Sequence, residues 1–167
     1  DVNAKVVETI NKGEIHIVEP DLQVYVAEAV KKGLLKASEE VQPADVYLIV
    51  VPTPFLSNHE PDISFVQAAT RNVLPLLKEG DLFIIESTSP VGTTEKMAAL
   101  IYQERPELKN KLHIAYCPER VLPGNVMYEL VHNDRVIGGM DDAATQKAME
   151  EEAKKLEDNK ILKKHHE

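Results

Sequence analysis

The run Y-C-P-E-R-V-L-P-G, residues 116 to 124, sets a thiol (Cys117), a carboxylate (Glu119) and a guanidinium (Arg120) in one loop bounded by prolines and a glycine. A carboxylate can activate water, and a guanidinium can grip a phosphate or a carboxylate. The loop follows an apolar, strand-like stretch, Leu112 to Tyr116. Two other apolar runs end in the same way. Val46 to Val51 opens into V-P-T-P, and Leu82 to Ile85 opens into E-S-T-S-P-V-G-T-T. In α/β proteins chemistry usually sits where strands run out into loops. Three such junctions in a short chain therefore predict one ligand crevice.

Those junctions need strands behind them and helices between them. The continuous apolar runs Val46–Val51, Leu82–Ile85 and Leu112–Tyr116, with a fourth at Arg135–Gly138, predict parallel strands covered on both faces. Helical patterns alternate with them. Ala4–Asn11 carries Val6, Val7 and Ile10 on one face and stops at Gly13. Asp21 opens a second helix that closes at Gly33. Asp62 opens a third, through Val66, Ala69, Val73 and Leu76 to about Gly80. Thr93 or Thr94 is predicted to cap a fourth, and Asp141 or Asp142 a fifth that ends near Leu156. The order predicts an α/β fold, a doubly wound parallel sheet of Rossmann type.

Composition narrows the function. The net charge of −9 over 167 residues argues against a nucleic-acid surface. No apolar run approaches the roughly 20 residues that span a bilayer. The single cysteine permits no internal disulfide, which fits a reducing, cytoplasmic setting. His16 and His59 have no metal-like partners at useful spacing, and the adjacent His165 and His166 read as a solvated end, so no metal site is expected.

Six segments in order give the chain a resemblance: G-E-I-H-I-V-E-P-D-L (13–22), V-P-T-P-F (51–55), H-E-P-D (59–62), E-S-T-S-P-V-G-T-T-E-K (86–96), the 116–124 run, and N-D-R-V-I-G-G (133–139). Together they resemble the UDP-glucose/GDP-mannose dehydrogenases, which use NAD to oxidise a nucleotide-sugar alcohol to a carboxylate. The resemblance covers residues 1 to about 140, which it makes a partial NAD-binding domain. Residues 141–167 read as a polar helix and tail that depart from the pattern. The first strand and its glycine-rich phosphate loop are missing from the sequence, so the chain is expected to be a fragment, inactive alone.

The resemblance also implies roles. Asp1, at the end of the family's second strand, would accept hydrogen bonds from the adenosine ribose of NAD. Read alone, it would merely cap the following helix. Thr53 would contact the cofactor, although V-P-T-P is equally a turn after a core strand. Thr88 would act near the nicotinamide, positioning a water or the cofactor. Thr94 would either cap its helix or touch the cofactor. Glu119 matches the glutamate that helps activate water for thioester hydrolysis or holds the substrate, and Arg120 and Val121 match positions that contact the sugar nucleotide. A surface ion pair is the plainer reading of Glu119 and Arg120. Cys117 does not match the family's cysteine nucleophile, which lies in a later domain, and reads as a small buried residue.

The expected substrate is a UDP-sugar. The V-L-P-G ending favours N-acetyl-D-mannosamine, with UDP-glucose and UDP-N-acetylglucosamine open as alternatives. A non-catalytic nucleotide-binding or oligomerisation module is the competing reading. The full-length enzyme is expected to be a homo-oligomer.

Overall fold

The computed structural model describes the backbone of residues 1–164 and the side chains of residues 1–155. The expectation for His165 and His166 lies outside the described residues. The chain packs as two compact units, residues 1–41 with 120–133, and residues 42–119 with those from 134 onward.

The second unit holds a four-stranded sheet in the order β1 (Val46–Ile49), β2 (Leu82–Ile85), β3 (His113–Tyr116), β4 (Gly138–Gly139). β1 pairs with β2, and β2 with β3, all parallel, with Val46 opposite Leu82 and Leu82 opposite His113. All four residues of β2 are buried. This is why its sequence shows no alternation: both faces are covered.

The faces divide by residue parity. Tyr47, Ile49, Phe83, Ile85 and Ile114 pack with Val66 and Val73 of α3 (Ser64–Val73) and with Met97 and Ile101 of α4 (Thr93–Glu104). Leu82, Ile84, Ala115 and Cys117 face the other way, against Ala148 of α6 (Asp142–Lys164). The arrangement is doubly wound, as the sequence predicts.

Four details differ from the sequence reading. The fourth strand is only Gly138–Gly139, and it runs antiparallel to β3. Arg135 and Val136 lie outside it. Gly139 is required at this point, because a Cβ there would run into the backbone nitrogen of Thr145 in α6. Pro75 shortens the third helix: α3 ends at Val73 and tightens into a 3-10 turn at Leu74–Leu76. Neither Thr93 nor Thr94 caps α4. Gly92 holds that position at φ 87°, and the buried Thr93 hydroxyl donates to the Pro90 carbonyl at 2.8 Å. Asp141, by contrast, does cap α6, its carboxylate accepting from Ala144 N at 2.7 Å. α6 continues well past Leu156.

The first unit contains α1 (Ala4–Asn11), α2 (Leu22–Lys31) and α5 (Val126–His132). Gly13 turns the chain at φ 77°, where an added Cβ would press on the Ala27 backbone. Asn11 ties down the end of the unit by exchanging two hydrogen bonds with the Ala37 backbone, at 2.8 and 3.0 Å. α5 has no counterpart in the sequence reading. Its start is fixed by Glu19, whose two carboxylate oxygens accept from Gly124 N and Val126 N, each at 2.9 Å.

Candidate functional site

Because β1, β2 and β3 are parallel neighbours, the loops that follow them leave the same end of the sheet. Short hydrogen bonds join those loops. The buried Ser87 hydroxyl accepts from Val51 N at 2.7 Å and donates to the Ile49 carbonyl at 3.2 Å, stapling the first two loops together. Thr53 Oγ1 donates to the Thr88 carbonyl at 2.6 Å, so the structure brings these two expected residues together. Thr88 itself is exposed. On the other side, Glu119 N donates to the Glu86 carbonyl at 3.1 Å and Cys117 N to the Ile85 carbonyl at 3.0 Å.

Beside this junction lies a cleft of about 300 Å³. Its walls are the Ser89–Gly92 turn, Thr94, Glu95, Tyr116 and Gly138–Met140. The Tyr116 hydroxyl accepts from Ser89 N at 3.2 Å and so ties the end of β3 to the turn. Thr94 is half-buried in this wall, four residues beyond Pro90, rather than serving as a cap.

Behind Glu119 runs a chain of alternating charges. Arg135 Nη1 donates to Glu119 Oε2 at 2.6 Å, and Arg135 Nε lies 3.6 Å from Glu152 Oε2. Lys155 Nζ reaches both Glu152, at 2.5 Å, and Glu86, at 2.7 Å. Burial works against the charge on Lys155, but its hydrogen bonds to Glu152 and Glu86 outweigh that, and its pKa stays above the usual lysine value. Arg135 behaves alike: burial opposes its charge, and the pairing with Glu119 more than restores it.

Cys117 is fully buried beneath this network. Burial, reinforced by the Glu152 carboxylate, pushes its thiol up to about 11. Only the thiolate is a good nucleophile, so Cys117 is poorly suited to attack at neutral pH. Its small side chain fills the space between β3 and α6.

The remaining expected residues belong to the first unit. Asp1 is exposed, and its carboxylate accepts from Asn3 N at 2.8 Å. Asn3 is the residue that caps α1, through Lys5 N. Arg120 is exposed and Val121 half-buried, and the Arg120 carbonyl accepts from Asn133 Nδ2 at 3.4 Å. Among the described residues no cluster of histidine, cysteine or carboxylate side chains could hold a metal ion. Among them, too, no helix is long and apolar enough to cross a membrane.

Sequence reasoning missed Arg135, Glu152, Lys155 and Glu86 as a group. One signal was present. Ala144, Ala148, Glu152 and Lys155 recur at intervals of four, four and three, which lines them along one helix face. A carboxylate and an ammonium on the face that carries the buried alanines can be buried only as a pair.

Comparison with known proteins follows the same residues. The sequence model described as "UDP-glucose/GDP-mannose dehydrogenase family, NAD binding domain" matches residues 1–156. The UDP-N-acetyl-D-mannosamine dehydrogenase of Yersinia pestis is 55% identical over 156 residues, covering 89% of this chain and 37% of that protein. The NDP-N-acetyl-D-galactosaminuronic acid dehydrogenase of Ralstonia nicotianae is 51% identical over the same length and coverage. Among solved structures, the UDP-D-ManNAc dehydrogenase of Pyrococcus horikoshii superimposes with a TM-score of 0.84 at 37% identity, over 92% of this chain and 37% of that one. The chain thus spans little more than a third of the length of these relatives.

Proposed function

Since the chain belongs to the UDP-glucose/GDP-mannose dehydrogenase family, as its NAD-binding domain, we propose that the natural protein oxidises the 6-hydroxyl of a UDP-sugar to a carboxylate. The favoured sugar is N-acetyl-D-mannosamine. Alcohol to carboxylate is a four-electron change, so each sugar consumes one water and reduces two NAD to NADH. NAD, when bound, supplies the hydride acceptor.

The observation that carries this reading is the convergence of Thr53, Thr88 and Glu119 on one end of three adjacent parallel strands. Thr94 lines the cleft and would offer NAD a small neutral hydroxyl there, while Thr53 and Thr88, joined by their hydrogen bond, would contact it from the neighbouring loops. No side chain caps α4, and an acceptor on the ligand would complete that helix end. Asp1 would hold the adenosine ribose, its carboxylate exchanging Asn3 N for ribose hydroxyls. Glu119 would orient and deprotonate the water that releases the acid. Arg120 would clamp the diphosphate of the sugar nucleotide, with Val121 packed beside it. The substrate and NAD are both cytoplasmic metabolites, which supports a cytoplasmic enzyme.

On this reading the 167 residues alone do not turn over. The reaction needs a nucleophilic thiol, and the raised pKa of Cys117 argues against that residue. The Ralstonia nicotianae relative, named for a galactosaminuronic acid, favours a second reading in which N-acetyl-D-galactosamine is the sugar.

The test is NADH formation by the natural protein offered UDP-N-acetylmannosamine, UDP-N-acetylgalactosamine, UDP-N-acetylglucosamine and UDP-glucose in turn. Two NADH per UDP-N-acetylmannosamine, with the highest kcat/KM of the four, is the expected result. Best turnover of the galacto sugar would select the second reading, and no turnover of any would refute both.

A further inference from the structure

We infer that Arg135 is the positioning residue for Glu119, and that α6 sets Arg135 and Glu86 through Glu152 and Lys155. The inference rests on the proposed role of Glu119 in catalysis.

Glu119 is held at two points. Its backbone N–H is bound to the Glu86 carbonyl, and one carboxylate oxygen is bound to Arg135. Both lines of support end on α6. Glu86 is bound by Lys155, and Arg135 is faced by Glu152. A carboxylate fixed at main chain and side chain has little freedom to rotate, which is what aiming a water requires.

The distances separate this role from that of a simple buried salt bridge. Arg135 spends its short contact, 2.6 Å, on Glu119 and stands 3.6 Å from Glu152. Yet Glu152 is the more deeply buried acid, with its side chain 3% exposed against 27% for Glu119. Among the described residues, neither Arg135 Nε nor Glu152 Oε2 has a hydrogen-bond partner. If the guanidinium served only to satisfy the interior, it would close on Glu152. It is instead drawn outward, to the acid at the strand end.

The charges agree. Among the described residues, Glu86, Glu119 and Glu152 share two cations, Arg135 and Lys155. Glu119 has the most exposed side chain of the three acids, the other two being 11% and 3% exposed.

The experiment is a double-mutant cycle on the natural protein with NAD and its UDP-sugar: Arg135→Met, Glu119→Gln and both together, with Arg135→Lys as the conservative variant. Arg135→Met should lower kcat about 10- to 100-fold and leave the KM for NAD within about twofold. Arg135→Lys should recover part of the loss. In the Glu119→Gln background, adding Arg135→Met should change kcat by less than about twofold, because the residue acts through one already removed. Multiplicative losses would overturn the inference, as would an Arg135→Met enzyme with unchanged kcat. If Arg135→Met does not fold, Arg135→Lys alone decides, combined with Glu119→Gln in the same way. A wild-type protein that oxidises no UDP-sugar would overturn the functional reading and this inference with it; wild-type turnover with multiplicative losses overturns this inference alone.

Discussion

The two faces of the sheet are built from different chemistry. Toward α3 and α4 the packing is dominated by apolar side chains, from Tyr47 and Phe83 to Met97 and Ile101, and the buried Thr70 hydroxyl is turned back onto the Val66 carbonyl at 2.7 Å. Toward α6 the contact starts apolar at Ala144 and Ala148 and turns ionic at Glu152 and Lys155. The first face can be read as stability. The second combines stability with placement, because its ionic part lies behind the loops that carry Glu86 and Glu119. A fold that buries charge beside its strand ends trades the forgiving, non-directional hold of apolar packing for a directional one.

That contrast can be broken most strongly on the apolar face. Phe83→Ala should cost about 3–5 kcal/mol, since the ring is fully buried and its loss leaves a cavity between the sheet and the helices. Urea unfolding followed by circular dichroism would read it.

On the ionic face Arg135→Met should cost about 1.5–3 kcal/mol by the same measurement, because it removes the charged hydrogen bond to Glu119 and one of the two cations facing the buried Glu152, which keeps Lys155 at 2.5 Å. A near-zero value would mean that α6 can repack as oil rather than as charge.

pH sharpens the comparison. The Cys117 thiol rises from an ordinary value of 9.0 to about 11 in the fold. The folded state therefore favours the protonated thiol. Its contribution is complete below pH 9 and is lost as the pH climbs from 9 to about 11, by roughly 3 kcal/mol. Cys117→Ala should flatten that part of the stability profile, while Phe83→Ala should shift the whole profile down without changing its slope there.

The smallest effect belongs to the exposed pairs. Lys111 and Glu79, 3.0 Å apart and about half or more exposed, should tolerate Lys111→Ala within about 0.5 kcal/mol. A larger loss would mean that surface charge, and not only the buried network, holds the sheet.

Much of the frame was legible in the sequence because local pattern determines it. α1 matches its predicted bounds, Ala4–Asn11, and β2 is the run Leu82–Ile85 residue for residue. What failed was decided by contacts distant in sequence. Val136 and Ile137 read as strand from their side chains, yet only the two glycines after them pair with β3, and the second must be glycine because α6 comes too close for a Cβ there. α5 is too short to show a helical period, and its start depends on Glu19, more than a hundred residues earlier.

The candidate site divides in the same way. The loop motifs drew attention to Thr53, Thr88 and Glu119 individually. The hydrogen bond from Thr53 to Thr88 spans 35 residues, and that from Lys155 to Glu86 spans 69. No local pattern encodes such pairings. Residues 141–167 read as a polar helix and tail, and the inward-facing part of that polarity, Glu152 with Lys155, was not legible there.

The spacing along α6 has one more consequence. Ala148 and Glu152 are separated by one helical turn, so the helix works as a ruler that meters the distance from its alanine anchor to its ionic end. Substitutions between them preserve that measure. Insertion of a single residue would leave the alanines seated and swing Glu152 and Lys155 about 100° around the axis, away from Arg135 and Glu86. The stretch from 149 to 151 should therefore accept almost any helix-forming residue and reject any change in length.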